Sequence, residues 1–304
     1  PSRTATQCDM SKLLNEENNS KSTINLDNEK NFQNPEIQGC EGKGPVNFTS
    51  PPRILIDIGF IEPLGLMIGS HVTPIDHQYY YPVVWKQNFR LEDLTDVLAP
   101  ADGVITSIGR MPTFFTNAKD ERLKDYRIVM HHSCTFYTIY IHLYKLSPRI
   151  EEELGEINPG ETKYIQIKVK AGEVFAKGFA FDFSVHNEDV NLTGFVVPAH
   201  YSRETWKIHT VDPFDYFVEP IKSQLLIKNL RKVEPFGGKI DYDIDGKLIG
   251  NWFKENTNGY QGIKEPEYWV THLTISPDGL DPSHIVISLG DFKSSIIIKI
   301  KRGA

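Results

Sequence analysis

No apolar run in this chain approaches the roughly 20 residues that a helical bilayer span requires, so no segment reads as a transmembrane helix. There is no dense Lys/Arg block, and 33 basic residues stand against 40 acidic ones, a formal net charge of −7. That balance excludes the electropositive footprint of a nucleic-acid binder. No stretch sustains helical periodicity, which points away from α-rich classes and toward a mainly β protein. A starting Met and a signal-like apolar segment are both lacking, and the expectation is a processed mature protein or a trimmed piece of one. Cysteine is scarce. Three residues cannot all pair with one another: Cys8 and Cys40 flank a polar segment and could close it as a loop, leaving Cys134 in a strand, or all three stay reduced.

What is present is a β-like pattern of about a dozen residues per strand, which fits a sandwich or an open barrel. Residues 1–50 are rich in Asn, Ser, Glu and Lys and read as an extended or disordered polar arm. Pro51-Pro52 ends it. Strands are expected from Arg53 to Ile58, Val104 to Ile108, Tyr126 to Met130, Thr135 to Leu143 and Tyr164 to Val169, with a short helix near Glu151 to Glu156. A central domain over 51–217 is followed by a small all-β domain over 218–304, in which Lys222 to Lys232 is a short helix or strand. Tyr268 to Ile275, His284 to Leu289 and Ser294 to Ile300 supply the strands of that unit.

The run from Gly178 to Val185 organises the centre. Its alternation sends Phe179, Phe181, Phe183 and Val185 to one face and Ala180, Asp182, Ser184 and then His186 to the other. An Asp on that second face needs a partner or solvent. Two upstream segments offer one: His71-Val-Thr-Pro-Ile-Asp76 and Tyr140-Ile-His142-Leu. His131 and His132 are adjacent, so they face opposite sides of a strand and cannot act jointly.

Several landmarks in order make the central region, Pro51 to Phe217, resemble the lysostaphin-type zinc metallopeptidases, which cut peptide cross-links in bacterial cell walls. Ala99-Pro-Ala-Asp-Gly-Val-Ile-Thr-Ser-Ile-Gly109 resembles that family's hairpin, and Tyr140-Ile-His-Leu143 its Tyr-x-His-Leu strand. Val169-Lys-Ala-Gly-Glu-Val174 resembles its Gly-centred turn, and Val211-Asp-Pro-Phe-Asp-Tyr-Phe217 its closing motif. The resemblance covers about half of the chain and leaves both ends unexplained. It implies a zinc held by the His and Asp of a His-x-x-x-Asp motif and by the second His of His-x-His, with an open position for water. Two further His would orient or deprotonate that water.

Carried over, the metal set becomes His71, Asp76 and Asp182, with His142 as the catalytic base. The match is degenerate. One extra residue separates His71 from Asp76, and Ala180-Phe-Asp182 stands where His-x-His belongs. A His/Asp/Asp set is harder and more anionic, so it holds zinc less selectively and admits manganese, calcium or magnesium. Losing one base removes a contribution of about 10²- to 10⁴-fold; His77 and His186 are the residues placed to compensate. Plain structural readings stand beside these: a His71–Asp76 hydrogen bond capping the loop, a satisfied His142, or a buried Asp182–His142 ion pair.

In the last unit Asp241-Tyr-Asp-Ile-Asp-Gly246 matches the start of a calcium loop, but Trp252 occupies the position that requires Glu. A hairpin turning at Asp245-Gly246 is the first reading and a loose calcium site the second. Trp252, Tyr260, Tyr268 and Trp269 are either core residues or a sugar platform. Sequons at Asn18, Asn47 and Asn191 favour an extracellular or cell-surface glycoprotein. The expectation is therefore a lysostaphin-like fold with a degenerate site and a binding or structural role, its partners a wall or surface glycan or peptide, or neighbouring subunits. The alternative is a metal-dependent endopeptidase of the same family.

Overall fold

A single 14-residue strand, Val174–Asn187, touches four others and sets the register of the molecule. The computed structural model describes residues 39–112, 120–263, 267–290 and 296–301. Cys8, Asn18 and most of the expected polar arm lie outside them. In chain order the first nine strands are β1 (Ile58–Glu62), β2 (Gln78–Pro82), β3 (Thr95–Leu98), β4 (Gly103–Arg110), β5 (Tyr126–Ser133), β6 (Phe136–Leu146), β7 (Thr162–Val169), β8 (Val174–Asn187) and β9 (Thr210–Val211). They form one antiparallel sheet in the order β1-β2-β8-β6-β5-β4-β7, with β3 and β9 also paired to β8. Four more, β10 (Gly250–Phe253), β11 (His272–Pro277), β12 (His284–Leu289) and β13 (Ile296–Lys301), form a separate antiparallel sheet. The fold is mainly β, as the composition and periodicity lead one to expect. No helix among the described residues is long and apolar enough to cross a membrane.

The apolar face of β8 packs as its alternation requires. Phe181, Phe183 and Val185 are fully buried, opposite Tyr80 on β2 and Tyr140 on β6. Phe48, Phe214, Phe217 and the two short α-helices of the described residues close this core. The helix α1 (Pro148–Leu154) shows how local sequence serves it. Pro148 takes the first helical position, where its missing N–H costs nothing, and Gly155 stops the helix at φ +66°. Ile150 and Leu154, four residues apart, then point the same way into the core. The second helix, α2 (Ile221–Lys228), contributes Leu225.

Phe179 departs from the expected pattern. It joins Phe89, Leu94, Leu123 and Tyr144 in a separate cluster instead of following Phe181. The cause is a bulge: Ile141 pairs with Asp182 but Leu143 pairs with Gly178, so four residues of β8 oppose two of β6. His142 sits at that irregularity in the left-handed region, φ +64°.

The expected strand at Arg53 to Ile58 is also displaced. Leu55–Asp57 is a 3₁₀ turn and β1 begins only at Ile58. Arg53 explains this, because its fully buried guanidinium donates to the carbonyls of Tyr80, Gly178 and Phe179 and lies 4.8 Å over the Phe181 ring. Its side chain ties the backbone to two strands and leaves Ile54 and Ile56 exposed. In the last unit the expected strand at Tyr268 opens with a 3₁₀ turn, Tyr268–Thr271, before β11.

Residues just before Pro51 are woven into the domain. Phe48 is fully buried and bridges Phe217. Cys40 forms a disulfide with Cys134, in the two-residue turn between β5 and β6, so the pair is neither Cys8–Cys40 nor three free thiols. Gly42 and Gly44 hydrogen-bond to the same turn. The bridge closes a loop with a sequence separation of 94 residues. Cross-links of this kind contribute about 2–4 kcal/mol by restricting the unfolded chain. Cys134→Ser should therefore lower unfolding free energy by about that amount in urea denaturation; an unchanged midpoint would show that the Gly42 and Gly44 contacts suffice alone.

Candidate functional site

The second face of β8 is as buried as the first. Asp182 and Ser184 are each 4% exposed and His186 is 0% exposed. What covers them is a 3₁₀ turn, Thr205–His209. Trp206 from this turn packs with Val129, Tyr137, Ile139 and Ile141 on β5 and β6. The adjacent Lys207 points its ammonium into the same space and lies 4.2 Å over the Tyr260 ring.

The loop from Leu64 to His77 brings the other groups. Gly65 donates to the Ile75 carbonyl and Ile75 donates to the Leu66 carbonyl, which pinches the loop at its base. Gly65 adopts φ +84°, and its missing Cβ leaves room for the Lys239 backbone to pass against it. Just past the pinch, Asp76 is surrounded by donors. One oxygen lies 3.0 Å from His77 Nδ1; the other lies 3.0 Å from Trp206 Nε1 and 2.9 Å from Lys207 Nζ. Burial pushes this carboxyl up, but Lys207 and His77 outweigh it and hold it well below the usual carboxylate range. Lys207 reaches Glu204 as well, at 3.4 Å. Its own pKa is raised, because the two carboxylates win over burial.

Asp182 faces His77 rather than His71, with 3.5 Å between Oδ2 and His77 Nε2. Register accounts for this: Tyr79 on β2 sits opposite Asp182, and His77 is two residues earlier on the same side. Burial is the main reason the Asp182 carboxyl is raised, against the pull of His77 and His142. His71 is at the loop tip, its ring 5.5 Å from that of His77, and burial lowers it to about 3. The expected His71–Asp76 capping bond is not what holds the loop; Asp76 bonds to His77, Trp206 and Lys207 instead.

His142 is turned by the bulge toward Asp125, which accepts from Nδ1 at 2.8 Å. Burial lowers the imidazole, but Asp182 and Asp125 together raise it to about 9. That shift favours the imidazolium, with Nδ1–H donating to Asp125. His186 is committed too. Its Nδ1 donates to the Trp206 carbonyl at 3.0 Å, so Nε2 accepts from Ser184 Oγ at 2.8 Å, and burial keeps it neutral with a pKa of about 3. Three buried atoms here have no hydrogen-bond partner among the described residues: His77 Nε2, Asp125 Oδ1 and Asp182 Oδ1.

Asp76 and Asp182 thus share a polar centre through His77, while His71 stands at its rim. Among the described residues no three His, Cys, Asp or Glu side chains converge to hold a metal ion. An ammonium already occupies the Asp76 oxygen that a metal would need. The set His71, Asp76 and Asp182 does not fit zinc in this arrangement. In the last unit Asp241 and Asp243 accept from the backbone N–H groups of Gly194, Val196 and Asn251, which consumes the oxygens a calcium loop would use. Tyr260 and Tyr268 pack against Tyr201, Phe253 and His272, whereas Trp252 is 39% exposed. Asn47 and Asn191 are both exposed.

Sequence reasoning missed Asp125, Trp206 and Lys207. Asp125 directly precedes an expected strand and could have been paired with His142 across it. Trp206 and Lys207 lie in a turn with no periodic signal.

No family model and no curated protein sequence matches the chain. It is similar in structure to the SpoIIQ–SpoIIIAH pore-forming complex, with 13% identity over 59% of this chain and 96% of that one, TM-score 0.33. It is similar to lysostaphin in solution, with 12% identity over 84% and 91%, TM-score 0.29. A zinc-containing peptidase from Vibrio cholerae is 15% identical over 47% of this chain, which spans only 37% of that peptidase, TM-score 0.28. At such low scores and identities, the chemistry of the centre rests on its own residues.

Two outcomes follow from the charge arrangement. Removing one partner of a buried pair strands the other, at a cost of about 3–5 kcal/mol. Lys207→Met should lose about that much in chemical denaturation, and Asp76→Asn combined with it should recover most of the loss; additive losses would mean the pair is not coupled. A His whose pKa rises on folding stabilises fully below its unfolded value of about 6.5 and loses that contribution as pH climbs through the folded value. Stability should therefore fall as pH passes through about 9, and His142→Gln should flatten that fall. Proton NMR of the imidazole checks the same point directly.

Proposed function

We propose that this chain is an extracellular or cell-surface protein with a lysostaphin-like peptidase fold, a degenerate site, and a non-catalytic binding or structural role. One observation carries the reading: the Lys207 ammonium, 2.9 Å from Asp76, supplies internally the positive charge that a metal would bring. Three further features support the reading. Ala180 cannot act as a base. His142 is held protonated by Asp125 and Asp182. Trp206 roofs the face of β8 on which a substrate would have to lie. The Cys40–Cys134 bridge supports an oxidising compartment. Partners consistent with such a location are a wall or surface glycan or peptide, or neighbouring subunits.

A metal-dependent endopeptidase is the second reading, and two observations favour it. His142 is held in the left-handed region, a conformation that costs of order 1–3 kcal/mol and concentrates at functional sites. His77 Nε2, Asp125 Oδ1 and Asp182 Oδ1 are buried without a hydrogen-bond partner among the described residues. Elemental analysis of the purified chain, with digestion assays on peptidoglycan and glycine-rich peptides, separates the two. The proposal expects substoichiometric transition metal and no cleavage. Stoichiometric zinc that disappears in His71→Ala, or cleavage abolished by His142→Ala, would overturn it.

A further inference from the structure

Asp76 and Lys207 meet where an ion pair is a costly resting state. Both side chains are buried, and Nζ stands 2.9 Å from Oδ2. The Tyr260 ring lies 4.2 Å from the ammonium, and Trp206 Nε1 donates to the same Oδ2 from 3.0 Å. Two charges kept from water in this way retain a desolvation cost of several kcal/mol each. Joining them as a neutral amide removes both charges and releases one water. A third group completes the set: Glu204 Oε2 lies 3.4 Å from the same Nζ. One carboxylate balances the ammonium. The second is surplus for pairing, but a condensation needs a group of that kind to carry protons. Each Asp76 oxygen also has its own N–H donor, His77 Nδ1 on Oδ1 and Trp206 Nε1 on Oδ2. Donors so placed stabilise the charge that gathers on a carboxyl group when a nucleophile adds to it. Reactants held together in one geometry reach effective concentrations of about 10⁵–10⁸ M.

We propose that Lys207 and Asp76 condense to an intramolecular isopeptide bond, an amide between Nζ and Cγ, with Glu204 as the proton carrier. The resting pair is ionised, because Asp76 is held low and Lys207 high. The reaction therefore opens with one proton passing from Nζ to Glu204 Oε2, which leaves a neutral amine. Its electron pair adds to Asp76 Cγ, and Oδ1 takes the negative charge against His77 Nδ1–H. Nζ then gives a second proton to Oδ2, Glu204 returns the first to the same oxygen, and the Cγ–Oδ2 bond breaks as water leaves. The third proton stays on the amide nitrogen. Ammonium and carboxylate have become amide and water without oxidant or reductant, and Glu204 ends as it began. The bond fastens the 205–209 turn to the Leu64–His77 loop. The proposal rests on the reading of a site without metal, because an ion on Asp76 would hold the carboxylate that condenses.

The test is intact mass spectrometry of the purified, disulfide-reduced full chain, with metal content measured on the same sample. The expected mass is that of the sequence less one water, with a proteolytic map in which one branched peptide carries both Asp76 and Lys207. Glu204→Gln, with an unchanged circular dichroism spectrum, should form the bond about 10²-fold more slowly. Lys207→Arg keeps the charge and should show the full sequence mass. A wild-type chain at full mass overturns the proposal. If that chain also holds no metal, the reading of a degenerate site stands without the bond, whereas stoichiometric zinc removes both. A dehydrated chain whose map joins other residues overturns it as well, and unslowed bond formation in Glu204→Gln overturns the role given to Glu204.

Discussion

A carboxylate sealed beneath a sheet costs several kcal/mol unless a cation stands beside it, and Asp76, Asp125 and Asp182 are all buried on one side of β8. The fold answers each differently. Asp76 receives a lysine, an indole N–H and an imidazole N–H. Asp125 receives the imidazolium of His142. Asp182 has only partial relief, and burial raises it toward its neutral form. The positions of the 205–209 turn and of the Leu64–His77 loop follow from this need, because each delivers a donor that no neighbouring strand can supply.

The same constraint explains why the centre carries its own cation. Here the cation is covalently part of the chain and is roofed by Tyr260 and flanked by Trp206. A buried lysine pair answers the electrostatic need of Asp76 from within the chain and gains rigidity from the ring contacts around it.

Much of this was legible in the residues. The alternation of β8 sends Phe181, Phe183 and Val185 to one face and Asp182, Ser184 and His186 to the other, as found. Phe179 escaped because a bulge breaks strict alternation, and nothing local announces a four-against-two register. The strand expected at Arg53 failed because the pattern saw flanking aliphatics and not a buried guanidinium with three carbonyl partners. Motif order points to His71 and Asp76 with one extra residue between them, whereas the strand beginning at Gln78 puts His77, two residues before Tyr79, on the Asp182 side. Lys207 lies 131 residues from Asp76 in a turn without periodicity, and long-range charge pairing of that kind leaves no mark in local sequence.

The Cys40–Cys134 bridge also decides how the molecule would bear tension. A pull applied before Cys40 enters the fold at Cys134, in the turn between β5 and β6, because the covalent shortcut carries it past residues 41–133. Strands β1 to β5 lie within the bypassed segment and would feel no peeling load from that end. A chain anchored at its N-terminal side would thus hang from the middle of its large sheet, not from an edge.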